Sequence, residues 1–109
     1  SLFMTFDEIM AKVKAMAAKV DASGTDFLAV QVNLTGKESG VFYVEVKNGK
    51  VSAEPYDYHD RSCAITIEPA NFVKLMDGKL DPVIAYTTGK LKVEGDLGKA
   101  LEFSKLIKK

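Results

Sequence analysis

Hydrophobic and polar positions alternate with two different periods along this chain, and the change of period divides it into elements. From Met4 to Val20 the apolar residues Phe6, Ile9, Met10, Val13, Met16, Ala17 and Val20 recur at helical spacing, with Lys12, Lys14 and Lys19 off that stripe. Thr5 and Glu8 form a capping box at its start, where Met4 can staple onto Ile9. Asp21, Ser23 and Gly24 end the helix. From Phe27 to Glu54 the period becomes two. Leu28, Val30, Val32 and Leu34 alternate with Ala29, Gln31 and Asn33, and Phe42, Val44 and Val46 alternate with Tyr43, Glu45 and Lys47. Asn48-Gly49 is a hairpin signal, because both residues tolerate the positive φ of a type I′ turn. Pairing Lys47 with Lys50 sets Val46 opposite Val51 and Val44 opposite Ala53 on one face. Ser62–Glu68 repeats the alternation with Cys63, Ile65 and Ile67, and Lys90–Glu94 repeats it with Leu91 and Val93.

Five strands with one apolar edge each predict a mainly antiparallel sheet with one face on a core. Three more helical segments supply the second layer of an α+β domain. Pro69–Asp77 ends at Gly78, a short segment runs from Asp81-Pro82 to Gly89, and the last helix starts at an Asp96 N-cap. A single domain over 4–109 is expected; residues 1–3 precede Met4 and are set aside as an addition to it.

Two helical segments carry more apolar surface than one contact needs. Val83–Gly89 has no charge in a chain that is 28% charged. In the last helix Leu97, Ala100 and Leu101 form one stripe, which Phe103, Leu106 and Ile107 extend around the cylinder. Such a helix needs neighbouring helices, a partner chain or an apolar ligand, and the pattern alone does not choose among them.

Composition narrows the classes. The chain is 47% apolar with fifteen basic and fifteen acidic residues, so no net field draws it to nucleic acid. Its longest uncharged apolar stretches, Phe27–Val30 and Val83–Tyr86, are far short of a membrane span, and charges within the first helix argue against a signal peptide. One cysteine, Cys63, cannot form an internal disulfide and suits a reducing compartment, which points to the cytoplasm.

The chemistry-bearing candidates are few. Asp57, His59 and Asp60 are adjacent loop residues without a second histidine, a poor metal set, so no metal or cofactor is expected. The one histidine has no nucleophile at motif spacing, and no enzymatic site is expected. Ser104-Lys105-Leu106 spells a peroxisomal tripeptide, but three residues follow it in this chain.

The second half carries a recognisable spacing: Ile65-x-Ile67, Phe72, Leu75, Gly78-Lys79-Leu80-Asp81-Pro82, Ala85-Tyr86, the run Gly89–Asp96, Ala100 and Leu106. In this it resembles the sterol carrier protein 2 family, the non-specific lipid-transfer domain. The order of a long helix and a three-stranded meander in the first half agrees. The resemblance implies a five-stranded sheet covered on one face by helices, with an apolar tunnel between the layers. It implies non-catalytic binding of a sterol, fatty acid, fatty acyl-CoA or phospholipid there. Two places depart from the family pattern, Arg61-Ser62-Cys63 and the paired hydroxyls of Thr87-Thr88.

With that resemblance the expected lining comprises Val30, Val32, Phe42, Val44, Ile65 and Ile67 from the sheet. From the helices it takes Phe72, Met76, Ile84, Ala85, Leu101 and Ile107. The expected partners are a lipid or fatty-acyl ligand and a transient membrane contact, in a monomer or weak homodimer. The alternative is a protein-interaction or dimerisation module that uses the apolar C-terminal helix, accessory to a lipid-metabolising enzyme.

Overall fold

The computed structural model describes residues 4–109; residues 1–3 lie outside the described residues. The first helix, α1 (Phe6–Lys19), begins with the full capping box: Thr5 Oγ1 accepts from the Glu8 N–H at 3.1 Å and Glu8 Oε1 from the Thr5 N–H at 2.9 Å. Glu38 adds a third acceptor at this positive helix end, taking the Phe6 N–H at 2.9 Å.

The strands are β1 (Leu28–Leu34), β2 (Gly40–Lys47), β3 (Lys50–Glu54), β4 (Cys63–Ile67) and β5 (Leu91–Gly95), in the spatial order β3-β2-β1-β4-β5. Asn48 at φ 53° and Gly49 at φ 77° make the turn between β2 and β3, and Val46 pairs with Val51 and Val44 with Ala53 as the alternation requires. The sheet is mostly antiparallel. Its one parallel pair joins β1 to β4, with Val32 opposite Ile65.

Register carries the apolar positions of all five strands to one face. Across the sheet Ala53, Val44, Val30 and Cys63 align in one row, and Phe42, Val32, Ile65 and Val93 in the next. Helices α1, α2 (Pro69–Met76), α3 (Pro82–Thr87) and α4 (Leu97–Leu106) supply the facing side chains, among them Ile9, Val13, Phe72, Ala85, Ala100 and Phe103. Edge-to-face rings thread the layer: Phe6 stacks on Phe42 at 6.4 Å between centroids and Phe42 on Phe72 at 5.5 Å. The Phe6 ring lies where a Cβ on Gly40 would stand, so a larger residue there would have to displace that ring.

The other face of the sheet is covered where the alternation predicts it wet. The loop Tyr56–Arg61 folds back over β1 and β2, and Gln31 Oε1 accepts from the Tyr58 N–H at 3.1 Å. The Tyr58 ring stacks on Tyr43, and its hydroxyl donates to Glu45 at 2.6 Å. That bond to a carboxylate holds the phenol protonated, its pKa pushed up to about 12. Arg61 bridges Gln31, the Tyr58 carbonyl and Glu94. The polar cluster singled out in the sequence thus covers the part of this face formed by β1 and β2.

Candidate functional site

Ten of the twelve expected lining residues are brought together. Val30, Val32, Phe42, Val44, Ile65, Ile67, Phe72, Met76, Ala85 and Ile107 are all buried in one continuous apolar layer between sheet and helices. Leu101 is half-buried. Ile84 is the correction: it is 56% exposed, because α3 turns Ala85 rather than Ile84 toward the core. An uncharged six-residue helix has no polar stripe to show which side faces in.

The layer reaches the surface at one end. A cleft of about 570 Å³ opens where the C-terminal end of α1, the end of α2 and the end of α4 meet. That volume lies within the ~300–1,000 Å³ common for small-molecule sites. Its floor is apolar, made by Met16, Val20, Met76, Leu106 and Ile107, and two of these, Met76 and Ile107, belong to the buried layer itself. Methionine suits such a wall because its thioether adapts to different shapes.

The rim is basic. Lys12, Lys19, Lys105, Lys108 and Lys109 line it against two acids, Asp21 and Asp77. Lys12 Nζ lies 2.8 Å from Asp77 Oδ1, and this hydrogen bond holds the Asp77 carboxyl below the ordinary aspartate range. Lys19, Lys105, Lys108 and Lys109 make no ion pair among the described residues. The chain's tail is pinned at the rim, with the Lys109 N–H donating to the Met76 carbonyl at 2.8 Å.

The periodicity missed Met16, Val20 and Leu106 as wall residues, since each also fits a helix stripe turned to the core. The readable signal was charge: Lys19, Lys105, Lys108 and Lys109 cluster at the C-terminal ends of two helices, where cations are favoured. Among the described residues no group of three His, Cys, Asp or Glu side chains could hold a metal. Cys63 is buried, and desolvation pushes its thiol up to about 11, so it is not a nucleophile at neutral pH.

A mostly antiparallel five-stranded sheet with helices on one face, an apolar layer between them and an opening at one end define a lipid-binding α+β domain. The chain belongs to the SCP-2 sterol transfer family, whose model matches residues 6–108. It is 34% identical over 106 residues to hydroxysteroid dehydrogenase-like protein 2 of Xenopus tropicalis, covering 94% of this chain and 24% of that protein. It is 41% identical over 71 residues to human sterol carrier protein 2, covering 65% of this chain and 13% of that one. The chain therefore spans a quarter or less of these relatives. In fold it is similar to the palmitated SCP2L2 of Aedes aegypti, with a TM-score of 0.71, 21% identity and 95% of each chain covered. It is similar also to part of the sec-alkylsulfatase Pisa1 from Pseudomonas, with a TM-score of 0.80 and 16% identity, covering 97% of this chain and 17% of the enzyme. Domains of this fold thus occur within enzymes as well as alone.

Proposed function

We infer that this domain binds an amphiphile with an anionic head group and passes it between partners without transforming it. The apolar body enters the layer lined by Val30, Val32, Phe42, Val44, Ile65 and Ile67, with Phe72, Met76, Ala85, Leu101 and Ile107 opposite. The observation that carries this reading is the cleft, whose floor is continuous with the buried layer and whose rim holds five lysines and two aspartates. An apolar tail gains from the floor in proportion to the area it buries. A carboxylate or phosphate at the rim gains from unpaired ammonium groups and leaves no buried charge unpaired. Fatty acids and fatty acyl esters of phosphate-bearing carriers fit this arrangement better than an uncharged sterol.

No residues at the cleft form a nucleophile–base pair, so chemistry on the lipid falls to another domain or protein. The match to a quarter of a dehydrogenase-like relative favours a lipid-presenting role beside an enzyme. The alternative of an accessory interaction module stays compatible with the match to part of a dehydrogenase-like relative; on the C-terminal helix Phe103 and Ile107 are buried, while Leu97 is exposed and Leu106 half-buried. A monomer without affinity for nucleic acid, working in the reducing cytoplasm that the lone thiol suits, completes the reading. Titration with a fluorescent polyene fatty acid tests it. Saturable uptake that an unlabelled fatty acid displaces more strongly than a sterol supports the assignment; uptake of neither contradicts it.

A further inference from the structure

Two acids stand among the five lysines at the rim of the cleft, and they are held in different ways. Asp21 is satisfied within its own turn, where Oδ1 accepts from the Ser23 N–H at 3.0 Å and from the Ser23 hydroxyl at 2.6 Å. Asp77 is bound to the rim itself, with Oδ1 2.8 Å from Lys12 Nζ. We propose that Asp77 is a built-in stand-in for the ligand's head group. It holds Lys12 until a lipid enters and then yields that lysine to the incoming carboxylate or phosphate. Asp77 thereby sets how strongly the cleft prefers anionic amphiphiles. The inference deepens the carrier reading above and rests on it.

Three observations converge on Asp77. The first is its position. Asp77 is the C-cap of α2, its N–H donating to the Val73 carbonyl at 2.9 Å. An acid at this end meets the partial negative charge of the last carbonyls, so the helix itself gives no reason for a carboxylate there. The hydrogen bond from Lys12 and the charges of Lys109 and Lys79 supply one, and they favour the ionised form.

The second observation is which lysine is taken. Lys19, Lys105, Lys108 and Lys109 are exposed, whereas Lys12 is half-buried, its side chain 31% exposed. An ion pair gains more where water is partly excluded, so Lys12 is the rim cation with most to offer an anion. The third is the floor beneath it. Met76, next to Asp77 in the chain, lines the cleft and belongs to the buried layer. A tail laid against Met76 brings its polar end to the rim where the Asp77 carboxylate stands. Exchange keeps Lys12 paired throughout, so no ammonium is left alone at a partly dry wall.

Titrations of the whole chain with a fluorescent polyene fatty acid, and with the alcohol of the same chain length, test the proposal. Asp77→Asn removes the competitor and keeps a residue that helix C-termini accept; Asp77→Ser repeats the test with a second neutral side chain. Either variant should bind the acid about fivefold more tightly, the factor for releasing one partly exposed ion pair, and the alcohol no differently. Asp21→Asn removes the same charge from the rim and should change acid binding by less than about twofold. In a Lys12→Gln chain the gain from Asp77→Asn should disappear. Equal gains from Asp77→Asn and Asp21→Asn overturn the proposal in favour of net rim charge. A gain that persists without Lys12, or that the alcohol shares, overturns it as well. Acid uptake by the wild type with no gain in Asp77→Asn refutes this inference alone. No uptake by any of the chains contradicts the carrier reading and this inference with it.

Discussion

The Lys12 ammonium and the Asp77 carboxylate, 2.8 Å apart, tie α1 to the end of α2 along one wall of the cleft. Both side chains are partly open to water, so the pair is worth no more than about 1 kcal/mol. Because the folded-state pKa of Asp77 is depressed, its stabilisation is present above the unfolded value of 3.8 and is lost as pH falls through the folded value. Asp77→Asn should therefore melt a few degrees lower than wild type at neutral pH. In buffers well below 3.8 the difference should vanish. Thermal melting at the two pH values checks this.

Met16 lines the cleft while only partly buried. Met16→Trp should fill the space with little overpacking, reducing fatty-acid uptake by about tenfold or more while costing less than the ~1–3 kcal/mol of an overpacked core. Phe72→Ala gives the contrast, since Phe72 is fully buried and packs on Phe42. It should cost roughly 3–5 kcal/mol of stability. Melting of delipidated protein and uptake by the folded fraction separate the effects, because bound lipid itself raises the melting temperature.

Lys105 sits exposed at the rim without an ion pair among the described residues. Lys105→Glu should weaken uptake of an anionic amphiphile by about fivefold, and raised salt should shrink the difference. Uptake of an uncharged analogue of the same chain length should be unchanged. Competition titrations at low and high salt measure all three.

Burial of Cys63 beside the Asp96 charge raises its thiol to about 11. A chromogenic disulfide reagent at neutral pH should leave the folded protein almost unmodified and react promptly after unfolding in denaturant. The sign also sets a pH dependence. A thiol whose folded value lies above the ordinary 9.0 stabilises the fold less as pH rises from there toward 11, because only the unfolded chain ionises. Cys63→Ala should flatten that alkaline loss in a pH series of melts.

Strand alternation and the Asn48-Gly49 turn make the β2–β3 register legible in the sequence, because a one-residue slip would turn Val44, Val46 and Val51 to water. The Thr5–Glu8 box likewise places the start of α1. The parallel pairing of β1 with β4 is not legible, since a period of two states which side chains share a face and nothing about a strand's neighbours. Gln31 reads as a solvent-facing position and is buried, because its partners Tyr58 and Arg61 lie far along the chain. The same limit governs the site. Burial of Val30, Phe42 and Ile65 follows from alternation, whereas the cleft arises where three helix ends converge, and no local pattern records convergence. Ile84 fails for a different reason: a six-residue helix without charged residues shows no orientation.

Native mass spectrometry of the chain purified from its own host, without detergent, tests lipid carriage most directly. The predicted result is a population heavier than the bare chain by the mass of one amphiphile, released by organic extraction and identified as an anionic acyl lipid. The same population should be absent from Met16→Trp prepared in parallel. A bare chain mass, together with no uptake of fluorescent fatty acid at micromolar concentration, would contradict the account.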